Sequence, residues 1–120
     1  MIDRLKKISE ISEIEFSDIV EFVEDLREKV RIYLKDGSFM DVWFSEKIQG
    51  RYAYHWERRS IDNKIYRHDN IPHKKWEYVK TFPKHFHDGS ESNVCDSFIS
   101  ENPTEAIRAF LRFAREIIKK

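Results

Sequence analysis

Between residues 29 and 44, apolar and polar positions alternate on both sides of an Asp36-Gly37 pair. Val30, Ile32 and Leu34 precede it, and Met40, Val42 and Phe44 follow it. Alternation of period two marks half-buried strands, and Asp-Gly between two such runs marks a hairpin. A two-residue turn at Asp36-Gly37 sets Ile32 opposite Asp41. A three-residue loop over 36–38 instead aligns Val30, Ile32 and Leu34 with Phe44, Val42 and Met40. The second register makes one clean apolar face and is the one expected; Arg31, Tyr33 and Asp41 then face the other way.

A second pair of runs, "RYAYHWER" (51–58) and "KIYRHD" (64–69), flanks polar residues around Asp62-Asn63 and predicts another hairpin. Tyr52, Tyr54 and Trp56 share one face of its first strand, while Arg51, Ala53, His55 and Glu57 share the other. On its second strand Ile65, Arg67 and Asp69 oppose Tyr66 and His68. Loop length leaves two registers open, one placing Arg67 and Asp69 beside His55 and one beside Trp56. Residues 76–82 read as a further strand, and His85 and His87 share a face if their segment is extended.

Helical signals sit at the two ends. Asn102-Pro103-Thr104-Glu105 supplies a cap, a proline at the first helical position and a capping glutamate. Ile107, Phe110, Leu111, Ala114, Ile117 and Ile118 then recur at helical spacing. Arg108, Arg112, Arg115 and Lys119 line a second face of that helix, expected to be solvated. Residues 2–10 suit a short opening helix. Residues 17–27 fit both a helix behind a Ser17 cap and a β-branched strand. The expected fold is α+β, an antiparallel β-meander packed against a C-terminal helix and N-terminal helical structure, in a single domain over residues 1–120.

Composition changes little in that picture. The chain has 120 residues, 40% hydrophobic and 14% aromatic, with three glycines and three prolines, which suits a packed core rather than disorder. One cysteine, Cys95, excludes an internal disulfide framework and fits a reducing compartment. No apolar run is long enough to cross a bilayer and no leader pattern opens the sequence, so a cytoplasmic protein is expected. Charged residues reach 37%, with a single glutamine, a bias of thermophilic proteins. The zero net charge hides a segregation: residues 51–87 carry nine basic and four acidic side chains, between acidic flanks. A basic centre attracts anions such as a nucleic-acid backbone.

All five histidines lie between His55 and His87, inside that basic centre. Metal-independent RNA cleavage needs a base for the 2′-hydroxyl, an acid for the leaving oxygen and a cation for the phosphorane. His73, His85 and His87 suit the first two tasks, because imidazole titrates near neutrality. Arg67 suits bidentate contact with phosphate, and Asp69 would fix a histidine tautomer. His68 points opposite to Arg67 and is left out. Lys84, Asn70, His55 and Trp56 are candidate substrate contacts, and Tyr54, Trp76 and Tyr78 are further aromatics able to stack bases. The alternative is a divalent metal such as zinc held by His73, His85 and His87, with Asp69 adding a carboxylate. No His-Glu-x-x-His pattern or cysteine pair fixes such a geometry. A third reading is a non-enzymatic interaction module, in which Asp69-Asn70-Ile71-Pro72 is simply a good turn.

The ordered motifs "YAYHWER", "YRHDNIPH" and "FPKHFHDG" resemble the TumE family of small toxins of type II toxin–antitoxin pairs, and "KVRIYLKDGSFMDVWF" is similar to the family's preceding segment. The likeness covers about residues 28–89. Its matching positions are Tyr54, His55 and Trp56, then Arg67, Asp69, Asn70, Pro72 and His73, then Pro83, His85 and His87. The resemblance implies a toxin blocked by a cognate antitoxin protein. RNA as the target is drawn from the residues, not from the likeness.

Overall fold

A computed structural model describes residues 3–120. Helix α1 (Asp3–Glu15) leads into β1 (Val20–Asp25), β2 (Lys29–Leu34), β3 (Phe39–Phe44) and β4 (Tyr52–Arg58). A one-turn helix α2 (Arg59–Asp62) joins β4 to β5 (Lys64–Asp69), and β6 (His85–Gly89), β7 (Val94–Asp96) and helix α3 (Pro103–Ile118) complete the chain. The seven strands form one antiparallel sheet in sequence order. The expected α+β meander with a helix at each end is the observed architecture. No described helix is long and apolar enough to cross a membrane.

Strand parity divides the sheet into two faces. Val30, Ile32, Leu34, Met40, Val42, Phe44, Tyr52, Tyr54 and Trp56 are buried on the face that carries both helices. Phe110 and Phe113 of α3 meet Tyr54, Trp56, Tyr66 and Phe86 edge to face. Asn102 caps helix α3 as expected, its Oδ1 accepting from the amides of Thr104 and Glu105, but the expected capping glutamate Glu105 accepts from Ser100 Oγ while the Asn102 amide donates to that hydroxyl. Its basic row is tied to the end of α1 and the loop after it. Arg108 makes a paired contact with Glu15, and Arg115 and Lys119 converge on Asp18.

The first hairpin keeps the expected faces but shifts its pairing by two residues. Val30 pairs with Val42 and Ile32 with Met40, so the three-residue loop is 35–37 and not 36–38. The reason is backbone geometry: Gly37 has φ +94°, and closing the loop there puts glycine at its left-handed last position. Residues 17–27, open between helix and strand, contribute β1. The opening helix runs on to Glu15, because Ile8, Ile11 and Ser12 continue its buried stripe; its expected start at residue 2 lies outside the described residues. Residues 76–82 are not a strand. Main-chain bonds there are local, from the amide of Trp76 to His73 O, Val79 to Trp76 O and Phe82 to Val79 O, which winds the segment into turns.

A candidate active site on the open face of the sheet

The face without helices carries a row of polar side chains across five strands. Arg31 pairs with Asp41, Asp41 with His55, His55 with Arg67 and Arg67 with His87. A neighbouring row runs from Trp43 through Ala53 and Asp69 to His85. This settles the register the sequence left open: Arg67 stands opposite His55 and not Trp56. Sheet pairing thus gathers Arg67, Asp69, His85 and His87 on adjacent strands.

Local backbone chemistry fixes each member. The carboxylate of Asp69 accepts the amide of Ile71 at 2.9 Å, the Asx turn its sequence suggested. His85 Nδ1 lies 2.8 Å from Pro83 O and His87 Nδ1 lies 2.9 Å from Glu91 O. Each ring therefore donates its Nδ1 proton to a main-chain carbonyl and turns Nε2 toward Asp69. His85 Nε2 is 3.3 Å from one carboxylate oxygen, and His87 Nε2 is 3.9 Å from the other. The two rings are 4.9 Å apart, and Trp76 lies against both. Asp69, His85 and His87 are all at least 94% buried.

Electrostatics separates the two imidazoles. Burial by itself depresses His85, but its bonds to Asp69 and Pro83 outweigh this and raise its pKa. His87 is depressed, by burial first and then by the Arg67 guanidinium. Burial works to raise Asp69, yet His85, the Ile71 amide and Arg67 keep it below the ordinary carboxylate range. Arg67 donates to Asp69 through Nε at 3.2 Å and to His55 Nδ1 at 3.2 Å. Its outer edge holds the Glu91 carboxylate in two bonds of 3.0 and 2.6 Å. His55 in turn donates from Nε2 to Glu57 at 3.2 Å, which fixes it as the tautomer that receives Arg67. Both ring nitrogens of His55 are thus occupied, and the residue aims Arg67.

A cavity of about 490 Å³ opens beside this group, lined by Arg67, Asp69, His73, Lys75, Trp76 and His87 among others. The exposed His73 caps the following turn, accepting the Lys75 amide at 3.1 Å, so it belongs to the cavity rim but not to the buried group. Three expected substrate contacts stand elsewhere. Trp56 is fully buried on the helix face, where its indole donates to Ser38 Oγ, because its parity opposes that of His55. Asn70 pins the start of β4, accepting the Tyr52 amide and donating to Gly50 O. Lys84 forms an ion pair with Glu101 at 3.4 Å. Glu91 was missed by sequence reasoning; the Asp88-Gly89 turn signal after His87 would have returned it to the site.

Among the described residues, Asp69, His85 and His87 are also the group able to hold a metal, with one ligand atom from each lying within 4.8 Å of the others. Main-chain acceptors on both Nδ1 atoms are the usual second layer of such a centre. His73 is not part of that group. No curated protein and no solved structure matches the chain. The family model described as toxin TumE matches residues 2–120, the stretch that holds the whole sheet, both long helices and every side chain of this site, and the chain therefore belongs to the TumE toxin family.

Proposed function

We propose that this toxin cleaves RNA by metal-independent attack of a 2′-hydroxyl on the adjacent phosphorus. One observation carries the reading: two oriented imidazoles lie 4.9 Å apart beside Asp69 and Arg67, with pKa values displaced in opposite directions, and His87, Asp69 and Arg67 line an open cavity. Opposed environments of this kind divide acid from base. His87, kept neutral, takes the 2′-hydroxyl proton as the oxygen attacks phosphorus. His85, whose pKa Asp69 raises, gives its proton to the departing 5′-oxygen. The P–O5′ bond breaks and leaves a 2′,3′-cyclic phosphate and a 5′-hydroxyl. Arg67 faces the equatorial oxygens, and the incoming phosphate displaces Glu91, a carboxylate that already occupies the guanidinium in the two-point manner of a phosphate. His73 and Lys75 add donors at the rim. Neutralisation falls to a cognate antitoxin protein.

The test is to incubate antitoxin-free protein and a His85→Ala/His87→Ala variant with total RNA in EDTA. Fragmentation by the wild type alone is expected; RNA as intact as in the protein-free control would sink the reading. A second reading rests on the 4.8 Å grouping of Asp69, His85 and His87, which suits a zinc-class ion with nitrogen and oxygen ligands. Elemental analysis of purified protein decides it, and stoichiometric metal lost on His87→Ala would replace the first reading.

A further inference from the structure

A second cavity, of about 360 Å³, opens on the same face of the sheet, one strand removed from the site. Leu26, Glu28, Lys29, Asp41, Trp43, Ala53 and His55 line it. Nothing in the reaction above uses it. It adjoins the first cavity across one register step, because Ala53 pairs with Asp69 and His55 with Arg67. Ala53 is the smallest side chain on this face, so the floor between Trp43 and Asp69 lies low. The two cavities thus lie side by side on this face, with Trp43 of β3 lining the second and Trp76, packed against His85 and His87, lining the first. Three strand spacings separate β3 from β6, roughly 14 Å. That is the reach of a dinucleotide with its bases splayed to either side of one phosphate.

Charge distinguishes the two ends. In the second cavity Asp41 already holds Arg31 at 2.8 Å and Lys29 at 3.0 Å, and Glu28 adds a further carboxylate to the lining. An anion gains little there, whereas the flat, half-buried face of Trp43 suits a neutral ring. At the other end Arg67, Lys75 and His73 favour the phosphate.

We propose that the Trp43 cavity is a nucleobase subsite, which stacks one base flanking the scissile phosphate while Trp76 meets the other. The proposal rests on the RNA reading of the site. It makes Trp43 a positioning and specificity residue that acts through binding, not proton transfer. Stacking on an aromatic side chain is sequence-tolerant, so preference among bases comes from the edges that Asp41 and Lys29 present.

The experiment measures the affinity of wild type, Trp43→Ala, Trp43→Phe and Ala53→Leu for a fluorescent 2′-O-methyl RNA tetranucleotide, which lacks the attacking hydroxyl and stays intact. Trp43→Ala is expected to weaken binding about tenfold. Trp43→Phe should restore most of it, and Ala53→Leu, which fills the floor beside the indole, should weaken it with melting temperature unchanged. Equal affinity in wild type, Trp43→Ala and Ala53→Leu overturns the subsite whatever the cleavage result. Wild-type binding that Trp43→Ala weakens, together with no cleavage of an ordinary RNA, keeps the subsite and overturns the catalytic reading. No binding by the wild type overturns both.

Discussion

On the helix-covered face of the sheet, His68 stacks on Phe86 with ring centroids 4.2 Å apart and meets Ser97 Oγ through Nδ1 at 2.7 Å. On the open face, His85 and His87 point their Nε2 atoms at one carboxylate. All three imidazoles lie on two neighbouring strands, and all are largely shielded from water. Burial drives His68 down to about 4, so it stays a neutral packing group. The same burial works to lower His85, yet its pKa is raised, because Asp69 faces it. Enclosure therefore does not distinguish a packing histidine from a reactive one. A charged partner on the same face does.

Substitutions on the two faces should separate folding from chemistry. His87→Ala, on the open face, is expected to lower RNA cleavage about a thousandfold, the usual worth of a general base. Its loss of stability should be smaller than that of Trp56→Ala. Trp56→Ala, two strands away on the covered face, should do the reverse. Loss of this buried indole costs about 3–5 kcal/mol of stability, read by chemical denaturation, while the residual folded protein keeps its turnover.

The acid side offers a third contrast. A histidine depressed to about 4 binds its proton more readily when unfolded. Stability should therefore fall as pH drops from about 6.5 toward 4, by an amount on the order of 3 kcal/mol. His68→Phe should flatten that dependence in denaturation curves taken across the range. On the open face pH should act on rate. The proposed reaction needs His87 deprotonated and His85 protonated, so its plateau should be bounded on the acid side by the depressed His87 and on the alkaline side by the raised His85. Asp69→Asn removes the partner that raises His85 and should move the alkaline limb to lower pH in a kcat/KM profile. The smallest effect belongs to Glu91. Its exposed pair with Arg67 competes with phosphate, so Glu91→Gln should tighten binding of uncleavable RNA about two- to fivefold.

The period-two pattern of residues 29–69 was enough to read both hairpins and the faces of their side chains, since parity survives a two-residue shift in pairing. It fixed neither the loop at Lys35–Gly37 nor the partner of Arg67, because both depend on loop length. His85 and His87 were legible as a same-face pair, and Asp69 and Arg67 as another. Their meeting was not, because β5 and β6 are linked by fifteen residues of turns that carry no strand pattern. The error at Trp56 came from choosing an aromatic by motif rather than by parity: His55 and Trp56 are adjacent in sequence and on opposite faces of the sheet. Lys84 and Asn70 were charged or polar side chains near the right place, and only side-chain contacts show that Glu101 and the start of β4 already hold them.

The central claim is that the open face breaks RNA through its own imidazoles. Mass analysis of the ends released from a defined oligoribonucleotide, cut by wild-type protein in EDTA, tests it most directly. The account predicts a 2′,3′-cyclic phosphate on one fragment and a 5′-hydroxyl on the other, both missing with His87→Ala. Intact oligonucleotide in EDTA, or 5′-phosphate ends that appear only with added divalent metal, would contradict it.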